Sequence, residues 1–310
     1  MLMVFMVRIT DKKTKLTGYF HLIRPFTLFA PFVVSSSIMI ASYVHINQIL
    51  PTLMILFTII LPASISFVFL NSASNALNQA TDISADQISK PYRPLPRGIV
   101  SRKEAIVISL VFYGAAFIIG FMIHLLFIFF LFLIMIFTVT YSLFPRMKDR
   151  LWFNQLWIAI PRGFLAILAS WIVFGSILEP IPLITALIAG LFLFGGSITK
   201  DFSDQQADDI VGTKTLINCY GVQKAACMVL PFLFFPFIFI PIFINNGLLP
   251  PSFWVLTFLA IPSFLIFKMM IHQSRPVCFF ENTKAWVLMY LTYFVFALLF
   301  SALTVAGVML

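Results

Sequence analysis

The sequence predicts an all-α integral membrane protein of about nine transmembrane helices, and three observations predict it. The 310 residues are 61% hydrophobic and only 10% charged, with a mean hydropathy of +1.03, well outside the composition of soluble globular domains. The apolar runs, rich in Phe, Leu and Ile, reach roughly the 20 residues that a helix needs to cross hydrocarbon with every backbone hydrogen bond satisfied internally. A β-barrel would show short alternating segments instead. The third observation is that the basic residues recur in alternate connections between the runs.

The predicted spans are 25–45, 49–71, 105–122, 124–143, 153–176, 180–199, 224–245, 251–271 and 285–307. Met1 to Val7 are apolar but lead into a basic stretch with no small-residue cleavage site at signal-peptide distance. Residues 1–24 therefore read as a cytosolic N-terminal tail, and 25–310 as a single transmembrane domain. Two joints are soft. His124 is almost the only polar residue between the third and fourth spans, and Pro161 with Arg162 interrupts the fifth; merging the third and fourth spans would give eight. Pro231, Pro236, Pro241 and Pro262 predict kinks in the later helices, because proline removes a backbone donor and clashes with the preceding turn.

Short loops rich in Lys and Arg stay in the cytoplasm. The tail holds Arg8, Lys12, Lys13, Lys15 and Arg24, and nineteen of the twenty bases fall in the tail or in alternate connections; the exception, Arg162, lies inside a span. The intervening connections carry only Glu179. This pattern explains the net charge of +9 better than nucleic acid does, since the bases form no separate domain and no nucleic-acid partner is expected. Cys219, Cys227 and Cys278 have no CxxC or zinc-type spacing, which excludes a disulfide framework as the organising feature. His21, His45, His124 and His272 lie at span ends or in loops without spacing that suggests a metal or catalytic pair.

Six of the eleven acids form two clusters where apolar runs meet water, on the predicted cytosolic side. The first reads Asn78-Gln-Ala-Thr-Asp82-Ile-Ser-Ala-Asp86, and Asn71 and Asn75 extend its four-residue step upstream. On a helix these residues share one face. The second, Asp201, Asp204, Asp208 and Asp209, places acids at i, i+3 and i+7. Any one Asp would read as a helix cap or as a partner for a loop lysine. Two regularly spaced clusters on one side, with Asp82 and Asp201 separated by 119 positions, read as a paired metal site. Carboxylates and an amide, without Cys or His, suit Mg²⁺ completed by substrate phosphates, and Mn²⁺ accepts the same ligands. Lys90, Arg93, Arg97, Lys148 and Lys200 supply cations nearby, which fits a bound diphosphate. A proton or calcium pathway more often places acids at mid-membrane.

These residues resemble the UbiA superfamily of intramembrane prenyltransferases. The first motif, NxxxDxxxD with a basic-proline segment, appears as Asn78, Asp82, Asp86 and Lys90-Pro-Tyr-Arg-Pro-Leu-Pro-Arg-Gly98. The second, close to KDxxDxxxDxxxGxxTL, appears as Lys200, Asp201, Asp204, Asp208, Gly212, Thr215 and Leu216, with Ala207 where relatives often carry Gly. A YSxxPxxK loop appears as Tyr141 to Lys148, followed by Asn154 and Arg162-Gly163, and Arg24-Pro25 matches the start of the first helix.

The resemblance implies a bundle of nine helices around a central cavity with cytosolic Asp-rich caps. It implies that Asn78, Asp82, Asp86, Asp201, Asp204 and Asp208 hold Mg²⁺ on a polyprenyl diphosphate donor, and that Arg93, Lys148 and Lys200 contact the diphosphate. Tyr141, Asn154, Arg162 and Arg24 then face the cavity or acceptor, and no catalytic nucleophile is expected. The implied activity is transfer of the prenyl group to a hydrophobic or amphipathic acceptor among membrane lipids. That acceptor is an aromatic quinone or chlorophyll-type precursor or a glycerol-phosphate ether lipid, the basic-proline segment looking closer to the chlorophyll, homogentisate and ether-lipid branches than to the hydroxybenzoate branch. Two alternatives stay open at this point: a UbiA-type membrane terpene cyclase, and a cation transporter.

Overall fold

The computed structural model describes residues 14–272 and 283–309. Met1 to Val7, Arg8, Lys12, Lys13, Arg275 and Cys278 lie outside the described residues. Among the described residues the ordered elements are helical, and nine helices are long and apolar enough to cross a membrane. These are α1 (Thr14–Asn47), α2 (Leu53–Thr81), α4 (Arg102–Ile123), α5 (Leu125–Ser142), α6 (Leu151–Trp171), α7 (Pro180–Val211), α9 (Val222–Asn245), α10 (Pro251–Ile271) and α11 (Lys284–Met309). Two short helices, α3 (Ile83–Ser89) and α8 (Leu216–Tyr220), lie between them.

Each soft point in the sequence has a physical outcome. His124 is extended (φ −164°, ψ 142°) and caps α5 by accepting the Leu126 N–H at 3.2 Å, so α4 and α5 are separate spans and the count of eight is excluded. Pro161 does not end α6. Residues Ile160–Leu165 widen into a π-helical turn, which absorbs the missing proline donor and carries the helix on to Trp171. Pro231 and Pro236 lie inside α9, whose regular winding stops at Ile238 and restarts at Ile240. α4 begins with a capping box, the Ser101 hydroxyl accepting from the Glu104 N–H while Glu104 accepts from the Ser101 N–H.

α2 and α7 run past their predicted apolar limits, to Thr81 and Val211, and so carry the polar residues of both acidic motifs out of the apolar zone. The helices close a ring in the order α1, α2, α5, α6, α7, α9, α10, α11 and back to α1, with α4 packed outside α2 and α5. Val107, Val111, Ile118 and Phe121 of α4 stay exposed, as suits a face turned to lipid. Away from the acidic motifs the ring is shut: α1 meets the last turns of α6, where the Ser42 hydroxyl donates to the Trp171 carbonyl at 2.7 Å. Residues 14–22 form a helical turn ahead of the first predicted span, with Leu22 buried and Lys15 paired to Glu104 at 2.5 Å.

α6 and α7 touch through backbone. A Cβ on Gly163 would stand 2.7 Å from the Gly190 Cα, a close approach of the kind that small residues permit between membrane helices. Gly163→Ala is expected to force the pair apart and lower stability by roughly 1–3 kcal/mol, read as a lower melting temperature of the protein in detergent.

Candidate active site

Both acidic motifs arrive at the same mouth of the ring, but not as two plain helical faces. α2 stops at Thr81, and Asp82 takes up a non-helical conformation (φ −110°, ψ 17°) before α3 begins. The expected single face through Asn78, Asp82 and Asp86 is thus broken at Asp82, although the Asn78 amide still donates to Asp82 Oδ2 at 2.7 Å. In α7 the winding tightens to 3₁₀ over Ser197–Lys200 and relaxes to α from Asp201. Asp201 turns inward and is buried, whereas Asp204 and Asp208 face the cavity.

Acids and bases neutralise each other across the mouth. Asp82 is held by Lys148 and by Arg146 Nη2 at 3.0 Å. Asp86 accepts Arg93 Nη1 on both oxygens, at 2.8 and 2.9 Å. Burial holds the Asp86 carboxyl above its ordinary value, the Arg93 guanidinium offsetting only part of that rise. Lys90 pairs with Asp204, tying the segment after α3 to α7. Asp201 is engaged on three sides: Lys200 at 2.5 Å, Asn154 Nδ2 at 3.2 Å and Gln155 Nε2 at 3.1 Å. Tyr141 and Lys200 both donate to Asn154 Oδ1, at 3.2 and 3.1 Å. Asp208 lines the cavity without an ion pair among the described residues.

The enclosed space has two parts. A polar cavity is lined by Arg24, Asn78, Asp82, Asp86, Lys90, Arg93, Tyr141, Arg146, Lys148, Asn154, Arg162, Lys200, Asp204 and Asp208. A second cavity runs between Ala30, Val34, Phe67, Leu70, Ile134, Leu193 and Tyr293. The two share Thr27, Thr138, Ile158, Pro161, Arg162, Lys200, Trp286 and Tyr290, so charged mouth and apolar interior are continuous. Arg24 and Arg146 both hold left-handed backbone (φ 54° and 52°), a sparsely populated conformation for non-glycine residues that surrounding structure must enforce.

Twelve of the thirteen residues singled out from sequence line the polar cavity; Asp201 stands behind it against Asn154. Arg97 of the nearby basic set is exposed and does not line it. Sequence reasoning gave no site role to Arg146, Gln155, Trp286 or Tyr290. Arg146 lies inside the YSxxPxxK segment and is legible there; Trp286 and Tyr290 come from α11, brought in only by ring closure.

No three of the described Asp, Glu, His and Cys side chains converge closely enough to hold a metal as they stand. The donor set nonetheless fits magnesium in kind, being all oxygen. A magnesium diphosphate presents cation and anion together, so the acids can pass from lysine and arginine to metal while those bases pass to phosphate oxygens.

A ring of membrane-length helices with opposed acids and bases at one mouth and an apolar interior defines the class of protein. The UbiA prenyltransferase family profile matches residues 28–279, and the chain belongs to that family. A digeranylgeranylglyceryl phosphate synthase of Thermococcus sibiricus is 30% identical over 155 residues, 50% of this chain and 54% of that one. Its counterpart in Methanothermobacter thermautotrophicus is 27% identical over 240 residues, 77% of this chain and 84% of that one. The matches to the synthases of Thermococcus sibiricus, Methanosphaera stadtmanae and Pyrococcus furiosus span only 54%, 58% and 63% of those proteins' lengths. A solved UbiA homologue from Archaeoglobus fulgidus, bound to GPP and Mg²⁺, superposes with a TM-score of 0.70 at 18% identity, covering 94% of this chain and 100% of that one. This likeness establishes the shared fold.

Arg93 and Asp86 are almost fully enclosed, with side chains 6% and 5% exposed, whereas Arg146 is 32% exposed. Arg93→Ala is expected to cost about 3–5 kcal/mol by stranding a buried carboxylate, and Arg146→Ala about 0–1 kcal/mol, Lys148 remaining on Asp82. Adding Asp86→Asn to Arg93→Ala should restore part of the loss in a double-mutant cycle read by detergent unfolding.

Proposed function

We propose that the protein transfers a prenyl group from a polyprenyl diphosphate to the free hydroxyl of a prenylated glycerol phosphate, releasing diphosphate and forming an ether. The observation that carries this reading is the continuity of the two cavities: the substrate they fit has a multiply charged head and a long apolar tail. The acceptor class is supported by the synthase relatives, whose name specifies a product with two geranylgeranyl chains on glyceryl phosphate. The Mg²⁺ and GPP bound by the Archaeoglobus homologue support the donor and the metal.

In this reading Asn78, Asp82, Asp86, Asp204 and Asp208 hold magnesium, or manganese, and Asp201 positions Lys200 and Asn154. When bound, the metal neutralises the diphosphate and makes it a better leaving group. Arg93, Lys148 and Lys200, with Lys90 and Arg146, release their carboxylates and bind phosphate oxygens. They stabilise the charge gained when the allylic C–O bond breaks and its electron pair leaves with the diphosphate. An acceptor oxygen then forms the new C–O bond, and its proton passes to the released diphosphate. Tyr141 and Arg24 border the reacting region, and the apolar cavity keeps water from the developing cation. By the positive-inside rule, the bases gathered at the mouth support a cytosolic orientation for it and for the N-terminal segment.

No described Asp or Glu lines the apolar cavity, so no acid relay leads away from the mouth as a cation transporter requires. The test is purified protein with Mg²⁺ and geranylgeranyl diphosphate, with and without geranylgeranylglyceryl phosphate. Acceptor-dependent diphosphate release should vanish on chelation, return with Mg²⁺, and fall at least about 100-fold in Asp82→Ala and Asp204→Ala. Acceptor-independent release with a cyclic hydrocarbon product would replace this reading by a cyclase.

A further inference from the structure

Two cations line both cavities, Lys200 and Arg162. Lys200 is engaged by Asp201 and Asn154. Arg162 differs: among the described residues its guanidinium has neither an ion pair nor a hydrogen bond, although its backbone carbonyl accepts from the Tyr293 hydroxyl at 2.8 Å. It follows Asn154 by eight residues in α6, which places it about 12 Å further along the helix axis. It sits in the π-helical turn Ile160–Leu165, a distortion often found at functional positions. An arginine without a counter-ion inside a membrane bundle is costly and calls for an anionic ligand.

The donor's diphosphate is served at the mouth by Arg93, Lys148 and Lys200. Its first tail carbon, where charge develops, must lie where head-lined space gives way to tail-lined space, and Arg162 borders that junction. A bare guanidinium there would oppose formation of an allylic cation, since like charges repel strongly where water is scarce. An anion on Arg162 removes the opposition.

We propose that Arg162 is the subsite for the phosphate monoester of the acceptor. This rests on the transferase reading and deepens it. The planar fork takes two phosphate oxygens, which holds the acceptor's hydroxyl, two carbons away on the glycerol, at the junction. Ionisation of the donor is thereby coupled to the presence of acceptor: without the bound phosphate, Arg162 holds back C–O cleavage and wasteful hydrolysis.

The experiment compares wild type, Arg162→Gln and Arg162→Lys with geranylgeranyl diphosphate, Mg²⁺, and either geranylgeranylglyceryl phosphate or the same compound without its phosphate. Wild type should prefer the phosphorylated acceptor at least about tenfold in kcat/KM. Arg162→Gln should lose that preference through a raised acceptor KM, keep its donor KM within about twofold, and release more diphosphate without acceptor; Arg162→Lys should recover part of the preference. A preference that survives in Arg162→Gln, or donor and acceptor KM rising together, overturns the subsite while leaving the transferase reading intact. Absence of product in wild type overturns the transferase reading instead. The subsite is then judged by melting temperature: a rise induced by geranylgeranylglyceryl phosphate that Arg162→Gln abolishes upholds it, and no rise overturns it.

Discussion

The constraint on which the structure depends is the neutralisation of buried charge at one mouth of a membrane bundle. A lone carboxylate there would lose hydration worth several kcal/mol. The chain meets this cost by crossing ion pairs and hydrogen bonds between segments distant in sequence: Asp82 pairs with Lys148 and Lys90 with Asp204, while the Asn154 and Gln155 amides donate to Asp201. These pairs fix α2, α3, the loop after α5, α6 and α7 relative to one another. The same pairs are the ones that a metal-bound diphosphate is suited to exchange, so the site's electrostatics serve folding and ligand binding with one set of groups.

Local backbone departures aim those groups. Asp82 sits at a helix break, Lys200 at the end of a 3₁₀ turn, Arg24 and Arg146 in left-handed conformation, and Arg162 in a π-helical turn. Regular helices would continue the same stripes into the lipid-facing zone. Each departure costs on the order of 1–3 kcal/mol where the conformation is strained, and the ion-pair network and ring packing are what hold it.

Much of this was legible in the sequence because the membrane simplifies the problem. Hydrophobic length gives the spans, base counts give the sidedness to expect, and polar residues in regular steps beside apolar runs mark the mouth. Asn78, Asp82, Asp86, Asp204 and Asp208 all line the cavity. What spacing could not reveal was settled by tertiary contact. The i, i+3, i+7 stripe of the second cluster is real, yet Asp201 leaves it because Asn154 and Gln155 of α6 offer three hydrogen bonds to its carboxylate. Trp286 and Tyr290 carry no polar spacing signal, and they reach the cavity only because α11 closes the ring on α1.

Arg162 stands at the limit of both kinds of reading. Its position inside an apolar span made it conspicuous, but the span alone could equally have housed a buried pair. Pairing is what the fold withholds: the described acids that form ion pairs satisfy Lys15, Lys90, Arg93, Arg146, Lys148, Lys200 or His45. Asp204, which lines the polar cavity, and Asp201 behind it are taken by Lys90 and Lys200. The charge of Arg162 is therefore directed at the cavity, and an enzyme that makes a carbocation beside it needs a reason to tolerate it. An acceptor that brings its own phosphate supplies that reason, because the arginine then opposes ionisation only when transfer cannot follow.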